Sequence, residues 1–344
     1  VQLDKTQVEI CQRSTLELLD LSLKVLRAFI RPVLLVSAIF MLPFILVDIW
    51  VVVWMLDPDA YFLAETVTSP ERAANIRFSS HLVALWVVQF PLASTATSVV
   101  LGNLVFFQKL TLKQLFGKLR SISRRLLLVM GVLRLGLVTI LLEPLVNDRV
   151  AFDWSIELFI LIILPVSALL IRSAAPFSPE ILGLELCPLR SPDPQVVSYR
   201  ERGKRIHGAM SGEHVARMLA GGFAASMICL MVISLQLSFT GILRGEWQWS
   251  NVTNFIGLPV ALWVAGVFIS VFRFLCYLDT RIRLEGWEVD LRMRAEAERL
   301  NPRQQISTGE ATVEIEPESD DHQASDANIA RTATIVADNV EVKS

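Results

Sequence analysis

The chain has 344 residues, of which 53% are hydrophobic and 19% charged, with a mean hydropathy of +0.50. A chain this apolar cannot hide its surface in one water-soluble core, so lipid is the expected solvent. The net charge of -2 says little about partners, because arginines gather between the apolar runs and acids gather in the tail; no nucleic-acid partner is expected.

Residues 1–31 read as an amphipathic N-terminal helix. Leu16, Leu19, Leu23 and Leu26 recur at helical spacing between Glu17, Asp20, Lys24 and Arg27, a pattern suited to a membrane surface or to a protein face. No cleavable signal is recognisable there, so the first span is expected to direct insertion.

Residues 32–278 hold about six apolar runs near or above the roughly 20 residues that cross a bilayer. They lie at 33–56, 82–107, 126–146, 156–171, 219–243 and 255–278. Each is predicted to be helical throughout, since an unpaired backbone amide in hydrocarbon costs several kcal/mol. The fourth run is short, and a re-entrant hairpin is its alternative, although the flanking charges oppose it. The fold class expected is an all-α polytopic bundle.

Lys5, Arg13, Lys24, Arg27 and Arg31 precede the first span, and Lys109, Lys113, Lys118, Arg120, Arg124 and Arg125 follow the second. Arg172, Arg190, Arg200, Arg202, Lys204, Arg205 and Arg217 follow the fourth. The intervening connections hold only Arg72 and Arg77, then Arg149, then Arg244. Lysine and arginine stay on the cytoplasmic side, so both ends are expected inside.

The internal loop 174–217 opens with Ser178 as a candidate helix cap, Pro179 at the first helical position and Glu180 in the first turn. A short helix is expected through 181–186, stopped by Pro188, Pro192 and Pro194. Residues 279–300 read as a helical cytoplasmic extension. Asp279 with Arg283, Arg281 with Glu285, Glu288 with Arg292 and Asp290 with Arg294 are spaced for i,i+4 pairing there. Residues 301–344 read as a disordered acidic tail.

Arg134, midway along the third run, is the costliest residue to immerse, at about 2.5–3.5 kcal/mol. By depth, Ser94, Thr95, Thr97 and Ser98 are its expected partners. Asp48, Gln89, Gln236 and Glu143 fall toward the external side and could line an outward polar pocket. Arg134 and Glu143 would sit on opposite faces of one helix, about 13 Å apart. These charges mark either an anion or proton pathway or interhelical ties. The basic loops suit anionic headgroups, or simple positive-inside sorting.

His81, His207, His214 and His322 lack metal-site spacing, and His207 and His214 read as solvated loop residues. No disulfide, metal or cofactor is expected, and no nucleotide-binding or hydrolase motif occurs. Asn251, Val252 and Thr253 spell a glycosylation acceptor, a pattern common by chance.

Tyr277, Asp279, Arg281, Arg283, Glu285 and Gly286, directly after the last span, resemble the ending of a broad group of bacterial six-helix membrane proteins, as does the segment 176–186. That group is similar to the membrane region attached to some glycerophosphoryl diester phosphodiesterases. The resemblance implies six-span topology and, with no soluble domain present to hold catalytic residues, no enzyme. Tyr277 would then anchor at the interface. The expected role is that of a multi-pass inner-membrane scaffold in envelope homeostasis, with membrane lipids and membrane or cytoplasmic proteins as partners. The alternative is a small-solute or lipid transporter working through Arg134 and Asp48.

Overall fold

The computed structural model describes residues 11–56, 70–105, 110–146, 154–190, 196–208, 210–245 and 247–286. The tail 301–344, the outer part of the extension at 287–300, Lys109, Arg149 and His322 therefore lie outside the described residues, as do the pairs Glu288–Arg292 and Asp290–Arg294. Every regular element among the described residues is helical.

Helix α1 (Thr15–Ala28) starts at a capping box. Ser14 Oγ accepts from Glu17 N, and Glu17 Oε2 accepts from Ser14 N at 2.7 Å. Its buried face is Leu18, Ser22 and Val25, while Leu16 and Leu23 are exposed. The expected stripe is thus rotated: α1 packs on protein through one side of it.

The bend at Phe29 leads into α2 (Ile30–Val52), extended by one turn to Leu56. Helix α3 (Pro70–Ala93) starts well before the expected second span and runs past Pro91 to a break at Ser94, where α4 (Thr95–Val105) takes over. Helix α5 (Leu112–Leu126) has a second capping box, Thr111 with Gln114, and buries Leu115, Ile122 and Leu126.

The third run is not one helix, contrary to expectation. A π-helical turn (Leu127–Val132) follows α5, and the chain then breaks before α6 (Val138–Val146). Leu135 adopts φ 63°. The broken backbone stays satisfied, with Leu135 N donating to Val132 O at 3.1 Å, Gly136 N to Met130 O at 3.1 Å and Leu137 N to Gly131 O at 2.9 Å. Only glycine fits at 136, where a Cβ would lie 2.6 Å from Met130 O. The two pieces still run antiparallel to α3, since Met130 packs near Leu92 while Glu143 reaches His81.

The fourth span is longer than expected. Helix α7 (Trp154–Leu158), a π-helical turn (Phe159–Ile163) and α8 (Leu164–Ala174) give a continuous Trp154–Ala174 segment of 21 residues. Helix α9 (Ser178–Gly183) is buried at every residue, and α10 (Tyr199–Gly208) follows. Helix α11 (Ser211–Arg244) ends at Gly245, φ 72°, and a π-helical turn (Thr253–Gly257) opens α12 (Leu258–Glu285). Gly286, φ 65°, takes the left-handed conformation that closes α12, so the extension after the last span is helical as far as Glu285.

Among the described residues, five helices are long and apolar enough to cross a membrane: Ile30–Leu56, Glu71–Ala93, Trp154–Ala174, Ser211–Arg244 and Thr253–Glu285. Helix α12 is the hub, with most of its residues between Leu258 and Ile282 buried, and it packs against α1, α2, α4 and α11. Gly221 lets α11 lie on the ring of Phe272. The outer side of α11 exposes Leu219, Phe223, Leu230, Leu235 and Phe239, a continuous apolar strip that suits hydrocarbon rather than water.

Candidate functional site

Polar side chains meet in three layers. The central layer surrounds α9. Arg273 of α12 donates from Nε to Glu180 Oε1 at 2.8 Å and from Nη2 to Ser94 at 3.0 Å and Ser98 at 3.2 Å. Ser98 Oγ donates to the same Glu180 oxygen at 2.9 Å. The break between α3 and α4 turns Ser94 toward this centre, and the first turn of α9 delivers Glu180. Both charges are buried, Arg273 at 5% exposure and Glu180 at 0%. A pair so deep is tolerable because each partner neutralises the other.

Arg134 belongs to this layer, though not with the partners expected. It lies in the break after the π-helical turn, and its Nη2 donates to Ser178 Oγ at 2.5 Å and to Ala175 O at 2.8 Å. Ser178 is therefore no helix cap; α9 is entered from Phe177 with no side-chain cap. Ser178 also accepts from the Tyr199 hydroxyl at 2.8 Å. Of the residues assigned by depth, Ser94 and Ser98 serve Arg273, and Thr95 bonds back to Pro91 O. Arg172 donates to Val88 O at 2.7 Å, on α3 ahead of the helix break. Arg134, Arg172 and Arg273 lie close enough to repel one another, with Glu180 beside them.

The second layer closes the end of the bundle that carries α1. Asp279 accepts from Arg13 N at 2.9 Å and pairs with Arg217 at 2.8 Å and Arg283 at 2.9 Å. The pair with Arg217 ties α12 to the start of α11, and the pair with Arg283 is the expected i,i+4 pair, as is Arg281 with Glu285 at 2.7 Å. Glu185 gathers Arg202, Arg281 and the Tyr277 hydroxyl. Tyr277 is thus buried at 2% exposure and is no interface anchor.

His207 and His214 are likewise buried rather than solvated, packed on Phe177. His207 Nε2 accepts from Phe177 N at 3.2 Å, which requires a neutral ring. Burial pushes its pKa down to about 4, with His214 and Arg134 adding to the effect and the Gly203 carbonyl opposing it.

The third layer lies at the opposite end. His81 holds Glu143 at 2.8 Å and Glu157 at 2.6 Å, one through each ring nitrogen, and Arg77 pairs with Glu157 at 2.5 Å. Asn254 ties the start of the last span to Asn75 at 2.6 Å and accepts from Trp249 Nε1 at 2.6 Å. Arg77, expected in a connection, is 7% exposed and lies over the Trp54 ring.

The other candidates fall between these layers. Gln89 donates to Asp48 at 2.5 Å, both fully buried, and the Glu143 charge is felt at Asp48. Gln236 is apart, against Gly257. The four expected around one outward pocket are thus a buried pair, a member of the histidine layer and a separate glutamine.

Sequence reasoning passed over Arg273 and Glu157, and it read Glu180 only as a first-turn residue and Arg172 only as a loop charge. Arg273 was visible by the rule applied to Arg134, as a guanidinium in an apolar run. Among the described residues no group of histidine, cysteine and acidic side chains has a geometry for a metal ion.

Five apolar helices of spanning length, with polar layers inside them, define a multi-pass helical membrane protein. Comparisons with protein-family models, with curated proteins and with solved structures find no match, so no family assignment follows.

Proposed function

We propose that this chain is a non-enzymatic scaffold of the bacterial inner membrane, crossing it six times with both ends in the cytoplasm and serving envelope homeostasis. One observation carries the reading: the buried charged side chains bind partners on helices distant in sequence and so join those helices. Arg273 and Glu180 join α12 to α9, Arg134 joins the broken third run to α9, and His81 joins α3 to α6 and α7. Charges arranged in this way fix a bundle.

Parity supports the six crossings. The bonds of Asp279 to Arg13 and Arg217 bring α1, the start of α11 and the end of α12 to one end of the bundle. Five crossings would leave α1 and the end of α12 on opposite sides; the broken 126–146 run supplies the sixth. The basic connections at the α1 end then fall inside, as lysine and arginine require. The likeness of residues 277–286 to the bacterial six-helix group agrees with this plan.

The experiment is a deletion strain scored for envelope permeability, with photo-crosslinkers at Arg200 and Lys204 on the cytoplasmic face. The scaffold reading expects increased permeability and a discrete crosslinked partner; an intact envelope with no crosslink refutes it. A transporter is the second reading, favoured by Asp48 Oδ2, Gln89 Oε1 and both polar atoms of Gln236, all buried with no hydrogen-bond partner among the described residues. Solute uptake into proteoliposomes that is lost in Asp48→Asn would establish it instead.

A further inference from the structure

A groove of about 410 Å³ runs between α2, α4 and α5, within the range of about 300–1,000 Å³ typical of small-molecule sites. Its chemistry is graded. Along α5 the lining runs from Arg120 and Ser123 to Leu126 and then Leu127, and Phe44, Ala96 and Leu137, which lies against Gly131, complete its apolar part. Phe40 and Phe116 close one side with ring centroids 5.1 Å apart. The exposed faces of Phe116 and Leu127 mark an opening to the surroundings of the bundle. Such a slot, apolar inside and cationic at one end, fits an amphiphile whose head is negative.

The charge of α5 points the same way. Its basic residues are Lys113, Lys118, Arg120, Arg124 and Arg125, and it has no acidic residue. Two of the five are committed to protein: Lys118 donates to Asn103 and Arg125 to the carbonyls of Leu186 and Cys187. The Arg120 and Arg124 side chains have no hydrogen-bond partner among the described residues. Arg120 is the one at the groove, so an anion beside Ser123 would meet a guanidinium that pairs with no acid among the described residues, next to an apolar channel.

We infer that this groove holds one anionic glycerophospholipid of the surrounding bilayer, with an acyl chain running toward Leu137 and the headgroup phosphate on Arg120. The guanidinium supplies a charge-assisted contact that a zwitterionic lipid, carrying its own cation, satisfies less well. The inference stands apart from the scaffold and transporter readings, since it needs only the geometry of α2, α4 and α5.

The test uses the full chain, delipidated in mild detergent and titrated with phosphatidylglycerol or phosphatidylcholine of identical acyl chains, with bound lipid counted by native mass spectrometry. The expected result is one phosphatidylglycerol retained at least about tenfold better than phosphatidylcholine, roughly the worth of one charge-assisted hydrogen bond. Arg120→Gln should abolish the preference and Arg120→Lys should restore part of it. Lys113→Gln, which removes the same charge from the same helix away from the groove, should leave it intact. Ser123→Trp, filling the groove mouth, should release the lipid without unfolding the chain, as read by circular dichroism. Equal retention of both lipids, equal losses in Arg120→Gln and Lys113→Gln, or a lipid that survives Ser123→Trp overturns the proposal. So does a second copy of the chain, rather than lipid, leaving the groove in that variant.

Discussion

Removing either member of the Arg273–Glu180 pair should cost more than any other single change in the bundle. In Arg273→Leu, Glu180 keeps only the Ser98 hydroxyl, so a carboxylate at 0% exposure is left without its cation. In Glu180→Leu, Arg273 keeps Ser94 and Ser98 but loses the acid that also offsets Arg134. Breaking a buried pair by removing one partner costs about 3–5 kcal/mol, and the carboxylate variant should fall at the upper end because the repelling guanidiniums remain.

The double variant Arg273→Leu/Glu180→Leu keeps the net charge of the layer unchanged. Replacing a buried pair by apolar residues of similar volume is often neutral, so it should recover most of the loss and give a coupling of at least about 2 kcal/mol. Equilibrium unfolding in mixed detergent micelles, followed by tryptophan emission, measures all four corners of the cycle. A loss below about 1 kcal/mol in Arg273→Leu, or a double variant equal to the sum of its singles, would refute the buried-pair account.

Gly221→Ala would drive a methyl into the Phe272 ring and should cost about 1–3 kcal/mol, whereas Gly222→Ala, which meets nothing within 4 Å, should be neutral or slightly stabilising in the same assay. Ser14→Ala should lower stability by about 1 kcal/mol through loss of the first capping box, with fraying of α1 seen in hydrogen exchange. The His207 pKa of about 4 lies below the unfolded value, so the unfolded chain binds the extra proton first and stability should fall as pH drops from about 6.5 toward 4. That acid limb, worth at most about 3 kcal/mol, should flatten in His207→Asn; an unchanged pH profile in that variant would remove His207 from the account.

Hydropathy and length made the long spans legible, because the cost of an unpaired amide in lipid leaves few other structures for such a run. The pairs Asp279–Arg283 and Arg281–Glu285 were legible for a similar reason, since helical spacing alone sets them. Positions around the axis were not. Counting by depth placed Arg134 level with the hydroxyls of the second span, yet only the break near Leu135 and the return of α9 decide that Ser178 is its partner. Charge sorting treated His207, His214 and Arg217 as loop residues in water, whereas the chain folds that loop back beneath α12. A short segment with several apolar residues, such as 176–186, has no periodicity long enough to reveal that it is buried on every side.

The break in the third run and the burial of α9 are two sides of one arrangement. A straight helix from Leu126 to Val146 would keep every backbone bond but would carry Arg134 at membrane depth with no acid in reach. Interrupting it at 133–137 costs one left-handed leucine, about 1–2 kcal/mol, and aims the guanidinium at the Ala175 carbonyl and Ser178 hydroxyl that fix the entry to α9. Once α9 is held there, Glu180 is presented to Arg273, and the hub helix can carry a buried charge. Arg134 therefore acts on α12 through α9, without touching it, and the costliest residue of the third run becomes the support for the costliest residue of the last.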